Sequence, residues 1–363
     1  MSDPVSELRA AVQDAASALR DGAEGESAAP NFERPPKPEF GDYSTNAAML
    51  LAPTMGEKPR GIAERLAGEL SDRLAERVDR VEVAGPGLLN LHLSDVWYRQ
   101  AMAELAAAGD ALGRPAEPAA RRVLIEFVSA NPTGPLTAAG GRHAAYGDAV
   151  ARALEHVGTD VSREYYVNDM GGQIDRFADS IAARMGGEPV PEDGYEGDYV
   201  TALGERLAAD GVEPGETEAL KLRGVELMRA EIEETLRRYG VVFDAWSSER
   251  ALHESGAVER ALADLREAGH VYESEGATWL RTTSFGDDKD RVLVRSNGEP
   301  TYYTSDVAYH RDKIERVGDD GHLINVLGAD HHGYVERLKV ILAVFGYDPD
   351  RLEIPLIQLV HVV

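Results

Sequence analysis

A strand, loop, helix and strand pattern near the middle of the chain limits its possible folds more than any other feature. The apolar run 123–128 suits a buried parallel strand. A loop rich in proline and glycine follows, then a helix predicted from about Gly141 to His156 and a second strand over 161–167. Such units pair their strands in parallel, and doubly wound sheets bind ligands where the strands end. The sequence therefore predicts an α/β fold with a Rossmann-like sheet and a site near residues 131–141.

The flanking patterns predict three segments. Residues 1–110 combine apolar residues at helical spacing with a hairpin pattern around residues 85–87, which indicates a small α+β domain. Residues 111–120 are predicted to be a linker, and residues 121–363 the larger Rossmann-like core. Within that core, the acidic stretch 186–215 is interpreted as an insertion. The buried side of the helix in the βαβ unit is predicted to include Ala145, Ala149, Leu154 and Val157.

Composition excludes several kinds of site. With no cysteine among 363 residues, the chain has neither disulfides nor thiolate zinc sites nor a cysteine nucleophile. It has no apolar run of 18 residues and no signal-peptide pattern at its start, so we expect a cytoplasmic protein without a membrane partner.

The formal charge of −26 argues against a polyanionic partner, because phosphate contacts usually come from basic patches. Net charge nevertheless constrains solubility more than it constrains one local face. Arg114, Arg121, Arg122 and Arg142 are expected to flank the predicted site and could supply a basic surface there.

The loop 129–136 leads through Gly140 and Gly141 into the predicted helix. A helix N-terminus offers unpaired N–H groups and a partial positive charge, and glycine lets a phosphate approach the backbone closely. This pattern favours a nucleotide site. An ordinary structural turn has the same composition, so the loop alone leaves both interpretations open.

Six blocks together resemble the arginyl-tRNA synthetases, which are class I enzymes. Residues 126–136 (EFVSANPTGPL) resemble the first signature region of that family. The other matching blocks follow in the family's order at 41–48, 165–173, 285–293, 302–310 and 328–334. The resemblance implies a Rossmann-like class I core and an N-terminal domain that helps to bind the tRNA elbow. It also implies activation of L-arginine by ATP with Mg²⁺ and its transfer to tRNA(Arg), by a protein that we expect to be monomeric.

The resemblance also assigns roles to single residues. Arginine carries a planar guanidinium that a carboxylate can bind bidentately and an aromatic face can flank. Asp306, Tyr302 and Glu126 match the family's arginine pocket, and Asn131 would hold the amino-acid head group. The residues implied to bind ATP are Pro132, Gly134, Gly328, Asp330, His331 and Gly333. Taken singly, Asp306, Tyr302 and Glu126 would also suit a helix cap, a core tyrosine and a surface glutamate.

The run Asp330-His331-His332 could suggest a metal site. Adjacent residues on a strand point to opposite faces, so all three could hold one ion only in an irregular loop. We therefore predict no metal site in the protein.

Two departures from the family pattern concern catalysis. The family has a His-x-Gly-His pattern after Pro-Leu, whereas this chain has Thr-Ala-Ala-Gly at 137–140, so Thr137, Gly140 and Gly141 mark a degenerate phosphate signature. The lysine-containing loop and the anticodon-binding domain would follow residue 363, so we expect a C-terminally truncated chain that could be inactive alone. Alternatively, Thr137 and the backbone N–H groups near Gly140 and Gly141 replace the imidazoles.

Two other functions fit the sequence less well. A non-catalytic tRNA- or arginine-binding paralogue fits the lost histidines, whereas the retained pocket residues argue for activity. Another class I synthetase, such as that for cysteine, is disfavoured because the cysteine zinc ligands are absent and because block 302–310 is specific.

Overall fold

The computed structural model describes residues 4–20, 29–115 and 121–358. The chain divides into two compact units, Met1–Pro118 and Ala119–Val363. Residues 116–120 of the predicted linker and the last five residues of the chain lie outside the described residues. Among the residues described, no helix has the length and apolar character that crossing a membrane requires.

The first unit packs helices against a three-stranded antiparallel sheet of order β1-β3-β2. The predicted hairpin is present, and Leu89 and Leu91 on its second strand are fully buried against Leu66 and Leu70 of a helix. The elements are α1 (Pro4–Leu19), β1 (Tyr43–Thr45), α2 (Ala47–Met55), α3 (Pro59–Leu74), β2 (Val78–Ala84), β3 (Leu88–Leu93) and α4 (Asp95–Ala108).

The second unit is built on a five-stranded parallel sheet of order β12-β10-β4-β5-β6. Its first part comprises β4 (Arg122–Glu126), α5 (Ala138–His156), β5 (Asp160–Val167), α6 (Gly172–Gly186), α7 (Asp198–Ala209), α8 (Thr217–Arg238), β6 (Ala245–Ser248), α9 (Glu249–Glu254) and α10 (Ala257–Glu267). Its second part comprises β7 (Val271–Ser274), β8 (Ala277–Leu280), β9 (Arg291–Val294), α11 (Tyr302–Val317), β10 (His322–Asn325), β11 (Leu327–Gly328), α12 (Val335–Val344), β12 (Leu352–Glu353) and β13 (Leu356–Ile357). The predicted fold class, a Rossmann-like core with a preceding α+β domain, is confirmed.

The acidic stretch 186–215 contains a helix, α7, that was not predicted. Val200, Leu203 and Leu207 are buried at helical spacing, and α7 packs against α6 and α8. The glycines and acidic residues around it obscured this short apolar stripe. The insertion is therefore part of the packed core rather than a loop outside it.

The buried side of α5 differs from the prediction. Ala144, Gly147 and Ala151 are buried, whereas Ala145 and Ala149 are exposed. Val157 is 42% exposed and Leu154 is half-buried. The rotation of α5 about its axis, and so its buried side, is set by a close approach between α5 and the residue that follows β4. A Cβ atom on Gly147 would lie 2.2 Å from Cγ of Phe127, which is itself fully buried.

Gly147→Ala is expected to destabilise the protein by about 1–3 kcal/mol, the usual range for overpacking a core. Phe127 has little room to move because its ring also packs at 4.5 Å from that of Phe243. Gly141→Ala on the same helix is the matched control. No atom lies within 4 Å of its added Cβ, so it should stabilise by about 0.5–1 kcal/mol through helix propensity. Urea unfolding checks both, and equal stabilities for the two variants would contradict the packing argument.

Candidate active site

The loop after β4 is held in an unusual backbone conformation. Val128 and Ser129 both have positive φ, 70° and 42°, which is strained for residues other than glycine and most of all for a β-branched one. The Ser129 hydroxyl donates to Glu126 Oε1 at 2.8 Å and accepts from the Tyr166 N–H at 3.1 Å. These bonds fasten the sharp turn to the carboxyl ends of β4 and β5.

The next residues of the loop are held by neighbouring elements. The Tyr165 hydroxyl donates to the Ala130 carbonyl at 2.9 Å, and the Ala130 N–H donates back at 3.1 Å. The Tyr199 hydroxyl of α7 donates to the Thr133 carbonyl at 2.8 Å. Asn131 is half-buried and its side-chain amide donates to Gln173 of α6. The loop that was predicted to meet the ligands is therefore rigidly positioned.

A cavity of about 350 Å³ opens at this edge of the sheet. It brings together Glu126, Tyr302 and Asp306, the three residues predicted for the arginine pocket. Tyr302 and Asp306 lie one turn apart on α11, so both project to the same side, and Tyr302 is 63% exposed at the cavity mouth. The remaining lining residues are Tyr166, Asn168, Glu249, Ser305, Tyr309, His310, Asn325, Leu327, His331, Tyr334 and Leu338. The arginine-binding roles themselves stay predictions.

Asp306 is the most perturbed carboxyl group of the cavity. Burial, with the negative charges of Glu126 and Glu249, raises the pKa of Asp306 to about 7, and the nearby Lys313 only partly offsets this rise. Burial and the repulsion between these carboxyl groups therefore keep Asp306 partly protonated near neutral pH. A cationic ligand would relieve that repulsion, and its binding would favour the ionised Asp306.

Glu249 is a cavity residue that the sequence did not reveal. It begins α9 directly after β6 and is almost fully buried. Burial raises the pKa of Glu249, against the opposing effect of a hydrogen bond with Ser305. With its NH₂ turned toward the pocket, Asn168 donates to Glu249 Oε2 at 2.8 Å. Glu249 directly follows a strand, which could have indicated its role from the sequence, but the four-residue strand β6 was too short to predict.

Glu126 is not a free carboxylate. The ammonium of Lys313, a fully buried residue of α11, donates to its Oε2. Behind this pair, burial and the charge of Lys313 lower the pKa of His310 to about 3, so its imidazole is neutral. The carboxylates that face the cavity without such a cation are Asp306 and Glu249.

The side chain of Thr137 caps the N-terminus of α5. The Thr137 hydroxyl accepts from the Gly140 N–H at 3.2 Å, and the Gly141 N–H donates to the Thr137 carbonyl at 2.9 Å. Two N–H groups considered as replacements for the missing imidazoles are thus already hydrogen bonded. Gly140 has ordinary helical φ, but a Cβ there would lie 2.6 Å from Cδ1 of Leu136. The roles of Thr137, Gly140 and Gly141 in phosphate binding remain predictions.

The turn 329–334 follows β11 near the same end of the sheet. Asp330 and His331 are exposed and 3.4 Å apart, and His331 reaches the cavity. His143 of α5 interacts electrostatically with both residues. Burial lowers the pKa of His143, and the negative charge of Asp330 partly opposes this effect. Of the other predicted ATP residues, Pro132 is buried, Gly134 and Gly328 are half-buried and Gly333 is exposed. Within the described ranges, no group of three or more His, Asp or Glu side chains is arranged to hold a metal ion.

The expected basic surface is not assembled at the cavity. Arg121 and Arg122 lie where β4 begins, whereas Glu126 and the cavity lie where it ends. The prediction that these two arginines flank the site was wrong, because the two ends of a strand face opposite edges of the sheet. Arg142, on α5, is at the correct end and donates to the Gln358 carbonyl at 2.8 Å.

A parallel sheet whose strand ends carry a cavity and a helix N-terminus places the protein in the Rossmann-like class of folds. Residues 6–93 match the family described as arginyl tRNA synthetase N terminal domain, and residues 216–361 match the catalytic domain of class I (R) tRNA synthetases. The chain belongs to the arginyl-tRNA synthetase family, as the sequence blocks predicted.

Individual relatives agree with this assignment. An arginine–tRNA ligase of Kineococcus radiotolerans is 47% identical over 338 residues, covering 91% of this chain and 60% of that protein. One from Frankia alni is 49% identical, covering 87% of this chain and 58% of the relative. The Thermus thermophilus arginyl-tRNA synthetase structure superposes with a TM-score of 0.68 at 25% identity, over 99% of this chain and 66% of that one. The chain thus spans about 60% of the length of these curated relatives.

Proposed function

We propose that the protein activates L-arginine with ATP and transfers it to tRNA(Arg). The observation that carries this proposal is the pair of cavity carboxylates, Asp306 and Glu249, beside the exposed ring of Tyr302. A guanidinium is permanently charged, planar and able to donate to two carboxylates at once. We assign Asp306 and Glu249 to the guanidinium and Tyr302 to its flat face, with Glu126 and Asn131 nearer the amino-acid head group.

In the proposed reaction, the arginine carboxylate attacks the α-phosphorus of ATP. The bond to the bridging oxygen breaks, leaving arginyl-adenylate and pyrophosphate. The terminal ribose hydroxyl of the tRNA then attacks the activated carbonyl, releases AMP and forms the ester. Such chemistry depends on positioning and charge stabilisation, with Mg²⁺ accompanying the phosphates. The rigid loop 129–133 and the turn 329–334 support binding of ATP at the strand ends.

Purified protein with tRNA(Arg) is expected to catalyse ATP–pyrophosphate exchange with arginine but not with lysine or citrulline. Lysine lacks the planar fork, and citrulline lacks the charge that a buried carboxylate requires. Calorimetric titration of the three amino acids provides the companion binding measurement. Failure to bind arginine in the presence of ATP and tRNA would contradict the proposed function.

A second candidate is an arginine-binding protein without turnover. It is favoured by the absence of both histidines at 137–140 and by the use of Thr137 as a helix cap. Losing one preorganised donor typically costs about 10²–10³ in rate. Arginine-selective binding without detectable exchange would support this candidate over the first.

We propose that residues 1–110 form the tRNA-binding domain, residues 111–120 the linker and residues 121–363 the catalytic core. Deleting residues 1–110 should weaken tRNA binding at matched salt while leaving arginine affinity unchanged, because the proposed arginine pocket lies entirely in the second unit. Filter binding and calorimetry measure the two affinities. Undiminished tRNA affinity would refute this assignment.

We further propose that the protein is a cytoplasmic monomer. Light scattering should give the mass of one chain, and a dimer mass would contradict this. Cell fractionation tests the location.

A further inference from the structure

Lys313 is a charged residue with no access to solvent. Its exposed fraction is 0%. It lies on the face of α11 that also carries Tyr302 and Asp306, two turns deeper into the fold than Asp306. Burying an ammonium group is costly unless the group is paired and hydrogen bonded. The partners of Lys313 therefore indicate its role.

Those partners belong to the floor of the cavity. The ammonium donates to Glu126 Oε2 and, at 2.9 Å, to Asn325 Oδ1, and it lies 4.3 Å from the ring centroid of Tyr309. Lys313 therefore joins α11 to the ends of β4 and β10.

The hydrogen bonds continue from Asn325 back to the helix. The Asn325 amide donates to Nε2 of the neutral His310 at 2.9 Å, and Nδ1 of His310 donates to the Asp306 carbonyl at 2.8 Å. A single tautomer of His310 satisfies both bonds. This series of hydrogen bonds thus connects Glu126 to the turn of α11 that carries Asp306.

Charge explains why a cation is needed at this position. Glu126, Glu249 and Asp306 surround one cavity, and Lys313 is the cation whose charge opposes their mutual repulsion at Asp306. The charged and titratable groups around the Lys313–Glu126 pair are Glu164 and Tyr166 on β5, Glu249 on α9, and Asp306, Tyr309, His310 and Arg316 on α11. Glu164 has its own partner in Arg316, so it does not substitute for Glu126.

We propose that Lys313 is a positioning residue for arginine: it fixes Glu126 at the cavity floor and, through Asn325 and His310, holds the helical turn that presents Asp306. This inference rests on the proposed function, since it concerns the same pocket. It adds a residue that touches no substrate, that positions residues that do, and that lowers the pKa of Asp306.

The test compares wild type, Lys313→Met and the double variant Lys313→Met/Glu126→Gln by calorimetric titration with arginine from pH 6 to 9. Methionine nearly matches the lysine stem without its charge. Wild-type affinity is expected to rise with pH and level off above the titration of Asp306 at about 7. Lys313→Met should bind arginine about tenfold more weakly at pH 7. Its affinity should continue to rise above pH 8, because the charge of Lys313 lowers the pKa of Asp306 and its removal moves the titration of Asp306 to higher pH.

The double variant separates charge from packing. The charge of Glu126 raises the pKa of Asp306 and that of Lys313 lowers it, so with both charges removed the affinity should level off near pH 7 as in wild type. A uniformly weaker Lys313→Met with the wild-type pH profile would reduce Lys313 to a structural residue and overturn the inference. Wild-type affinity in Lys313→Met would also overturn it, while leaving the proposed function intact. A wild-type protein that does not bind arginine would overturn both.

If Lys313→Met does not fold, thermal unfolding of Glu126→Gln and the double variant replaces it. Glu126→Gln leaves a buried ammonium without its carboxylate, whereas the double variant removes both charges, a change that is often tolerated. The double variant should therefore unfold at the higher temperature. Equal unfolding temperatures would overturn the proposed electrostatic role.

Discussion

Asp306→Asn is expected to weaken arginine binding by about 2–5 kcal/mol, the range for breaking one side of a desolvated charge pair. Asparagine keeps the size of the side chain but removes the charge that would meet the guanidinium. Discrimination against citrulline should fall with it, because citrulline loses affinity mainly by leaving that carboxylate without an ionic partner. Calorimetric titration with arginine, lysine and citrulline measures these effects.

The same variant has a pH signature. Because the pKa of Asp306 is raised to about 7, the ionised form that binds arginine is depleted as the pH falls through 7. Wild-type affinity should therefore decrease below pH 7, and Asp306→Asn should lose this dependence. Asp312→Asn is the control, since Asp312 lies on the same helix but is only half-buried and pairs with Arg316. Undiminished arginine preference in Asp306→Asn would remove Asp306 from the pocket.

Glu164→Ala should lower the free energy of unfolding by about 3 kcal/mol, the lower end of the range for breaking a buried ion pair. Glu164 is fully buried on β5 and binds Arg316 through both oxygens, at 2.6 and 2.9 Å. Its Oε1 also accepts from the hydroxyls of Tyr309, at 2.6 Å, and Ser247, at 2.8 Å. The lower end applies because the Arg316 side chain is 38% exposed and can regain water.

Glu234→Ala is the matched control, because Arg237 also binds that carboxylate through two nitrogens, but at the surface. Surface pairs contribute little, so this variant should unfold like wild type in urea.

Acid provides a second test of Glu164. Burial alone would raise its pKa, but the hydrogen bonds from Arg316 and the charge of Lys313 outweigh burial and lower it. The stabilisation is therefore complete above the ordinary value of 4.5 and is lost as the pH falls through the lower, folded-state value. The difference between wild type and Glu164→Ala should shrink below pH 4.5. A constant difference would contradict the ion-pair explanation.

Local patterns in the sequence determined the fold class. A buried strand, a helix and a second strand within residues 121–167 predict a parallel βαβ unit whatever the rest of the chain does. The same holds for Tyr302 and Asp306, because a spacing of four residues places two side chains on one side of any helix. Glu126 was assigned to the pocket through its match to the family pattern, and its place at the end of a local strand agreed with that role. These features depend on neighbours in sequence, which is why they could be predicted.

The tertiary structure decided which charged residues line the cavity and which of them are paired. Glu126 and Lys313 are 187 residues apart in the chain, and nothing in their local sequence indicates that they pair. Glu249 joins Asp306 only because β6 adds to the sheet beside β5. The buried side of α5 was misplaced for the same kind of reason, since contact between Gly147 and Phe127 sets its rotation. Helical periodicity shows that a buried side exists, whereas its rotation and the pairing of buried charges depend on contacts between segments distant in sequence.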